Sequence, residues 1–163
     1  MKYIKLTQGQ WAIVDDEDFE WLIKYKWYAN YDLSTRGYYA MRNIPLGNGK
    51  RKHLKMHRVI MNAKQGEQID HKNRDSLDNR KQNLRFATPS QNQANSKIRS
   101  DNTSGYKGVV WYKNYQKWQV RIRYQGKRIY LGSFNNKEDA ALVYNIKAKQ
   151  LFGEYALLNK IKK

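Results

Sequence analysis

Cysteine is absent from the 163 residues, and only two prolines and three histidines occur. Without cysteine there are no disulfides and no thiolate metal sites. Three histidines are too few for an elaborate all-imidazole centre, so no structural zinc is expected. No stretch approaches the length of a membrane span, and the opening MKYIKLTQGQ lacks an apolar core of signal-peptide length. The expectation is a soluble, cytoplasmic protein with no membrane partner. A chain of this length holds one ordinary domain or two small ones, and two small modules fit it better.

Acidic residues are also scarce, and their scarcity is local. The formal charge is +18, from 32 Lys and Arg against 14 Asp and Glu. Residues 1–45 carry six of each sign, whereas residues 46–100 and 101–163 each carry thirteen basic and four acidic side chains. Two separate basic surfaces follow. They point to a polyanion partner, because Lys and Arg that neutralise phosphates release condensed counterions. The bland alternative is a surface that only keeps the chain soluble. No basic amphipathic helix is present to favour a membrane surface.

Periodicity predicts an α+β chain. Asp15, Asp16, Glu17 and Asp18 precede a helical stripe of Phe19, Leu22 and Ile23, with acids at the positive end of the helix dipole. Residues 27–31 and 37–44 read as strands, and Gly47-Asn48-Gly49 as a turn into a third strand over 51–61. On that strand His53 and His57 share a face but lie about 13 Å apart, too far to share a metal. After Gly66 a short strand ends at Asp70-His71. A polar loop follows, then a strand over 84–87 and a helix opened by Thr88 as N-cap, Pro89 at the first helical position and Gln91 completing a capping box. Residues 96–105, SKIRSDNTSG, lose the apolar period and read as a linker. Beyond them, 117–124 alternates cleanly, with Trp118, Val120, Ile122 and Tyr124 opposite Lys117, Gln119, Arg121 and Arg123. Residues 127–134 form its hairpin partner. A helix capped by Asn136 carries Ala141, Tyr144, Ala148 and Leu151 on one stripe and ends at Gly153. The C-terminal part is thus a three-stranded antiparallel sheet packed on one helix, with Trp118 in its core.

The stretch IDHKNRDSLDNRKQNLRFATPSQN, residues 69–92, places a carboxylate beside a neutral base in a basic chain. Phosphodiester hydrolysis needs an activated water and positive charge against the developing oxyanions. An imidazole supplies the first, and a divalent cation held by a carboxylate and an amide oxygen the second. Neighbours in a strand point to opposite faces, so Asp70 and His71 reach one site only if the strand bends or ends there. The turn-rich NRDSLDNR permits that. On the residues alone, catalysis and a chance dipeptide beside Asx-turns both stand.

The same stretch, with KMHRVIM before it, resembles the core of HNH homing endonucleases over about residues 55–95. The resemblance implies a ββα-metal fold. It also implies His71 as general base, Asp70 and Asn92 as ligands of one divalent cation, Mg2+ or Mn2+, and Asn83 as the residue that ties down the loop and orients the base. Many members have His where this chain has Asn92, which implies a weaker metal site. A cytoplasmic location in a bacterium or phage-infected cell goes with it.

A second resemblance covers residues 104–159. SGYKGVVWYKNYQKWQVRIRYQGKRIYLGSFNNKEDAALVYN, with FGEYALLN, is similar to the Apetala-type, or ethylene-response-factor, DNA-binding domain. It implies a sheet lying in the major groove of double-stranded DNA. Lys107, Arg121, Arg123 and Arg128 match basic contact positions, and Tyr130 replaces a contacting Trp. Tyr112 stands among the arginines of the same face, where phosphate and base-edge contacts are made. Val110 replaces an Arg of plant members, so their base preference does not carry over.

The expected organisation is a small N-terminal α+β lead-in plus an HNH nuclease domain over 1–99, then an Apetala-type domain over 100–163. The expected function is site-specific, metal-dependent cleavage of duplex DNA. Its rivals are a DNA-binding transcriptional regulator with an inactive nuclease core and an RNA-binding module.

Overall fold

The first fourteen residues, which the sequence reading leaves without an element, hold a period-2 pattern: Ile4 and Leu6, then Ala12 and Val14, are buried. They form a hairpin of β1 (Lys2–Lys5) and β2 (Trp11–Val14). Gln8 and Gly9 in the turn between them both take positive φ. The structure, a computed structural model, describes residues 1–161 and is α+β. The chain divides into two compact units, Met1–Thr88 and Pro89–Lys163.

In the first unit, the acidic run opens α1 (Asp16–Leu22), with Asp15 at the N-cap and Asp16, Glu17 and Asp18 in the first turn. An antiparallel sheet of β3 (Tyr28–Asp32), β4 (Gly37–Gly47) and β5 (Lys50–Lys55) comes next, in the order β3-β4-β5. Here the expected strand over 51–61 is corrected. It stops at Lys55, and Met56–Ile60 is a short helix, α2. Met56, Val59 and Ile60 recur at helical spacing and turn towards the core built on Leu22, Val14 and Trp27. Met56, Leu22 and Val14 are fully buried, each contributing about 1.5–3 kcal/mol through removal from water. His53 and His57 therefore do not share a strand face. His53 stays on β5 opposite Asn43, where the Tyr28 hydroxyl lies 3.2 Å from its Nδ1. The unit ends with the antiparallel pair β6 (Gln68–His71) and β7 (Leu84–Ala87).

The second unit opens with α3 (Pro89–Asn95). This helix packs on the unit's core: Ala94 is buried there and its carbonyl accepts the Leu157 N–H at 3.1 Å. The sheet is β8 (Val109–Tyr112), β9 (Lys117–Tyr124) and β10 (Lys127–Phe134), antiparallel in the order β10-β9-β8. It packs on α4 (Lys137–Phe152), whose N-cap Asn136 accepts from the Glu138 and Asp139 N–H groups. Val109, Val120, Ile122, Ala141, Tyr144 and Ala148 make the core, with Trp118 and Leu151 partly buried against it. Only glycine fits position 108: its φ is +78°, and a Cβ there would stand 2.1 Å from the Tyr144 ring. Lys162 and Lys163, the end of the expected 100–163 domain, lie outside the described residues.

Candidate active site

Asp70 and His71 occupy the last two positions of β6, and both are buried. The chain turns immediately, with the Arg74 N–H donating to the His71 carbonyl at 2.9 Å and Arg74 at positive φ. The strand thus ends where the two side chains must part from strict alternation. Register pairs Asp70 with Arg85 on β7. The Arg85 guanidinium donates to Asp70 Oδ2 from Nε at 2.9 Å and pairs with it through Nη2 at 2.8 Å. Such a two-pronged, charge-assisted contact fixes the carboxylate's orientation.

The loop between β6 and β7 is closed by amides, as its composition suggests. Asn83 is buried, and its Oδ1 accepts the Asn73 N–H at 2.9 Å while its Nδ2 donates to the Asp78 carbonyl at 2.8 Å. Its own carbonyl accepts the Lys72 N–H at 2.9 Å, next to His71. Asp78 receives Arg80 Nε at 2.8 Å and Asn73 Nδ2 at 2.8 Å. The Arg80 guanidinium holds the Asp78 carboxyl below the ordinary carboxylate range.

The N-terminal third, neutral and unassigned in the sequence reading, grips this loop from outside. Ile13 of β2 donates to the Leu77 carbonyl and accepts the Asn79 N–H, both at 2.8 Å. Asp15 Oδ2 accepts the Lys81 N–H at 2.7 Å, and Glu17 pairs with the Lys81 ammonium at 2.6 Å. The acids that open α1 are therefore not only a dipole partner. They anchor the segment that leads into Asn83.

Sequence reasoning missed two residues at this site. His57 of α2 is buried with its ring centroid 4.9 Å from that of His71, edge to face, and Tyr39 of β4 stands 5.6 Å from His57. The available signal was the i, i+3, i+4 spacing of Met56, Val59 and Ile60, which marks a helix at 56–60 where the strand would otherwise run on. Burial pushes the His71 imidazole below its usual value, outweighing the opposite pull of the Asn79 side chain and of Asp70, Asp75 and Asp78. Burial pushes His57 well below it, with His71, Lys55 and Arg58 acting in the same direction. Both rings are neutral bases near pH 7.

Among the described residues no three His, Cys, Asp or Glu side chains cluster as a metal cage. Asn92, the amide expected as a second ligand, is half-buried on α3.

The six residues expected to contact DNA fall in the second unit. Arg128 is paired with Arg123, and Tyr130 with Arg121, across β10 and β9. Directly opposed residues share a face, so these four exposed side chains stand together on the side away from α4. Tyr112 opposes Lys117 on the same face and stacks on Tyr115 at 5.4 Å. Lys107 is placed differently. Its ammonium donates to the carbonyls of Ala94 at 2.6 Å, Ser96 at 2.7 Å and Gln93 at 3.1 Å, at the C-terminal end of α3. A cation there satisfies carbonyls that the helix leaves open.

Residues 54–94 match the HNH endonuclease family, a span holding His57, Asp70, His71, Asn83 and Asn92. A protein of Acanthamoeba polyphaga mimivirus, named an uncharacterized HNH endonuclease, is 34% identical over 159 residues, 94% of this chain and 77% of the relative. The chain belongs to the HNH endonuclease family. It is accordingly a nuclease. Protein 3.8 of Escherichia phage T7 is 34% identical over 91 residues, 56% of this HNH endonuclease and 74% of the phage protein. No solved structure matches it. Among the described residues no helix is long and apolar enough to cross a membrane.

Proposed function

We propose that this HNH endonuclease is a site-specific, homing-type enzyme that hydrolyses double-stranded DNA with one divalent cation, Mg2+ or Mn2+. The sheet of the second unit selects the site. The observation that carries the reading is the place of His71: a buried imidazole at the end of a strand whose following loop is tied by Asn83.

His71 is the general base. One of its ring nitrogens takes a proton from the attacking water, and its lowered basicity leaves it unprotonated and ready at neutral pH. Asn83 holds the loop that sets the imidazole's position. Asp70 and Asn92 would hold the cation. One carboxylate and one amide oxygen suit a hard divalent ion. When bound, the cation would supply positive charge against the negative charge that builds on the phosphate and the leaving oxygen. Arg85 keeps the Asp70 carboxylate aimed. The products are a 5′-phosphate and a 3′-hydroxyl.

For recognition, Arg121, Arg123, Arg128 and Tyr130 form one exposed patch with Tyr112 on its flank, which supports the Apetala-type reading of the sheet. Paired arginines suit guanine edges and phosphates alike. Lys107 serves this unit by anchoring α3 rather than by touching DNA. The test is selection of cut sites from a random duplex library with Mg2+ or Mn2+. Recovery of one sequence family supports the proposal. Duplex binding with no cut product under either ion would make the protein a DNA-binding regulator.

A further inference from the structure

The buried face of α2 carries a histidine that the proposed chemistry does not use. His57 meets the His71 ring at 4.9 Å with planes at 83°, and Tyr39 closes the group at 5.6 Å from His57 and 6.3 Å from His71. Three rings from β4, α2 and β6 thus share one packed cluster. Lys55, the residue before α2, sets its ammonium 4.2 Å from the centre of the Tyr39 ring.

A side chain can hold another in place only if it is itself fixed, and His57 is fixed on both sides. Met56 before it is fully buried in the first unit's core. Arg58 after it donates to the carbonyls of Lys64 at 2.8 Å and Ala63 at 3.4 Å, and also to that of Glu67. These bonds tie α2 to the chain that runs on into β6. The backbone under His57 and the strand bearing His71 are therefore joined at both ends of a short path. A planar ring set edge to face leaves its neighbour fewer rotamers than a flexible aliphatic chain would.

We propose that His57 is a positioning residue for His71, its ring forming the wall that holds the base's imidazole in a single orientation. The inference rests on the reading of His71 as general base. It assigns His57 no contact with substrate or metal. What matters is ring shape and rigidity, so a phenylalanine serves and an alanine does not. Removing the wall lets the imidazole sample other rotamers, and a base misplaced by about an ångström can cost about 10²-fold in rate.

The experiment compares the full-length parent, His57→Ala, His57→Phe and His71→Ala in single-turnover cleavage of duplex DNA with Mg2+, with duplex affinity and thermal unfolding measured alongside. His57→Ala should cut about 10–100-fold more slowly at unchanged DNA affinity, while His57→Phe should stay within about threefold of the parent. Imidazole 1H–15N spectra should show the His71 ring signals broadened or doubled in His57→Ala and single in His57→Phe, a change that lost stability alone would not produce. A folded His57→Ala that cuts at the parental rate overturns the inference. If His57→Ala does not fold, His57→Phe decides: a folded Phe variant as slow as His71→Ala overturns it. Parental cutting by His71→Ala would instead sink the general-base reading beneath it.

Discussion

The imidazoles of His57 and His71 lie 4.9 Å apart in a buried site, and burial lowers the basicity of both. Unfolding frees each ring to titrate near its usual value of about 6.5. Below that value the unfolded chain binds more protons than the folded one, so stability falls as pH drops; above it the contribution is complete. The groups facing His57, namely His71, Lys55 and Arg58, all oppose its protonation. The urea midpoint should hold between about pH 7 and 8 and decline from about 6.5 downward, and His57→Phe should remove part of the decline. Asp78, whose carboxyl is lowered by Arg80, loses its contribution as pH falls from the ordinary carboxylate range downward. A midpoint unchanged down to about pH 5 would show that neither imidazole is held neutral by the fold.

Cleavage should follow the same sign. Because His71 is lowered from its usual value, the acid limb of kcat/KM is expected to bend at a pH below about 6.5 and to reach its plateau by about 7. The measurement needs metal occupancy held constant across the range. A bend above pH 7 would mean that Asp70, Asp75 and Asp78 outweigh burial at the imidazole.

Asn83→Ala removes the acceptor of the Asn73 N–H and the donor to the Asp78 carbonyl. Leaving such groups unpaired costs about 1–3 kcal/mol each when they stay dry. Less is expected here, because Asn73 is exposed and water can replace one bond. Chemical denaturation should show a loss of about 1–3 kcal/mol, and cleavage by the still-folded fraction should slow as well. Slower cleavage without lost stability would mean that Asn83 acts on the reaction directly.

Arg123 and Lys107 should separate in DNA binding. Arg123→Ala removes a side chain from the exposed face, and the slope of log K against log salt should shrink by about one. Lys107→Met leaves that slope alone and lowers the melting temperature, because the carbonyls of Gln93, Ala94 and Ser96 lose their cation. Titration of duplex DNA at several salt concentrations checks both. A slope reduced by Lys107→Met would return that lysine to the DNA face.

Much of this was legible where one element has one period. The alternation of 117–124, the hairpin at Gln125-Gly126 and the Asn136-capped helix appear as read, because each buries a single face against one core. The pair of short strands flanking a polar loop was legible too, since Asp70-His71 ends its strand at an obvious turn. His57 was not. The run KRKHLKMHRVIM alternates well enough to continue a strand, and only the helical spacing of Met56, Val59 and Ile60 betrays the change at Lys55. Nor could local sequence assign Lys107, whose partners lie eleven to fourteen residues away and are brought to it by the packing of α3 on the second core. The loop's tether to Ile13 and Asp15 spans more than sixty residues and leaves no local trace.

The central claim is that His71 acts as the base of a metal-dependent DNA hydrolysis, and one measurement bears on it most directly. Single-turnover cleavage of a selected duplex site is compared for the parent and His71→Ala with saturating Mg2+, and duplex affinity is measured with cleavage blocked by chelator. Loss of a general base usually lowers the rate about 10²–10⁴-fold, so His71→Ala should bind as the parent does and cut at least about 10²-fold more slowly. Equal cutting by the two proteins would contradict the account.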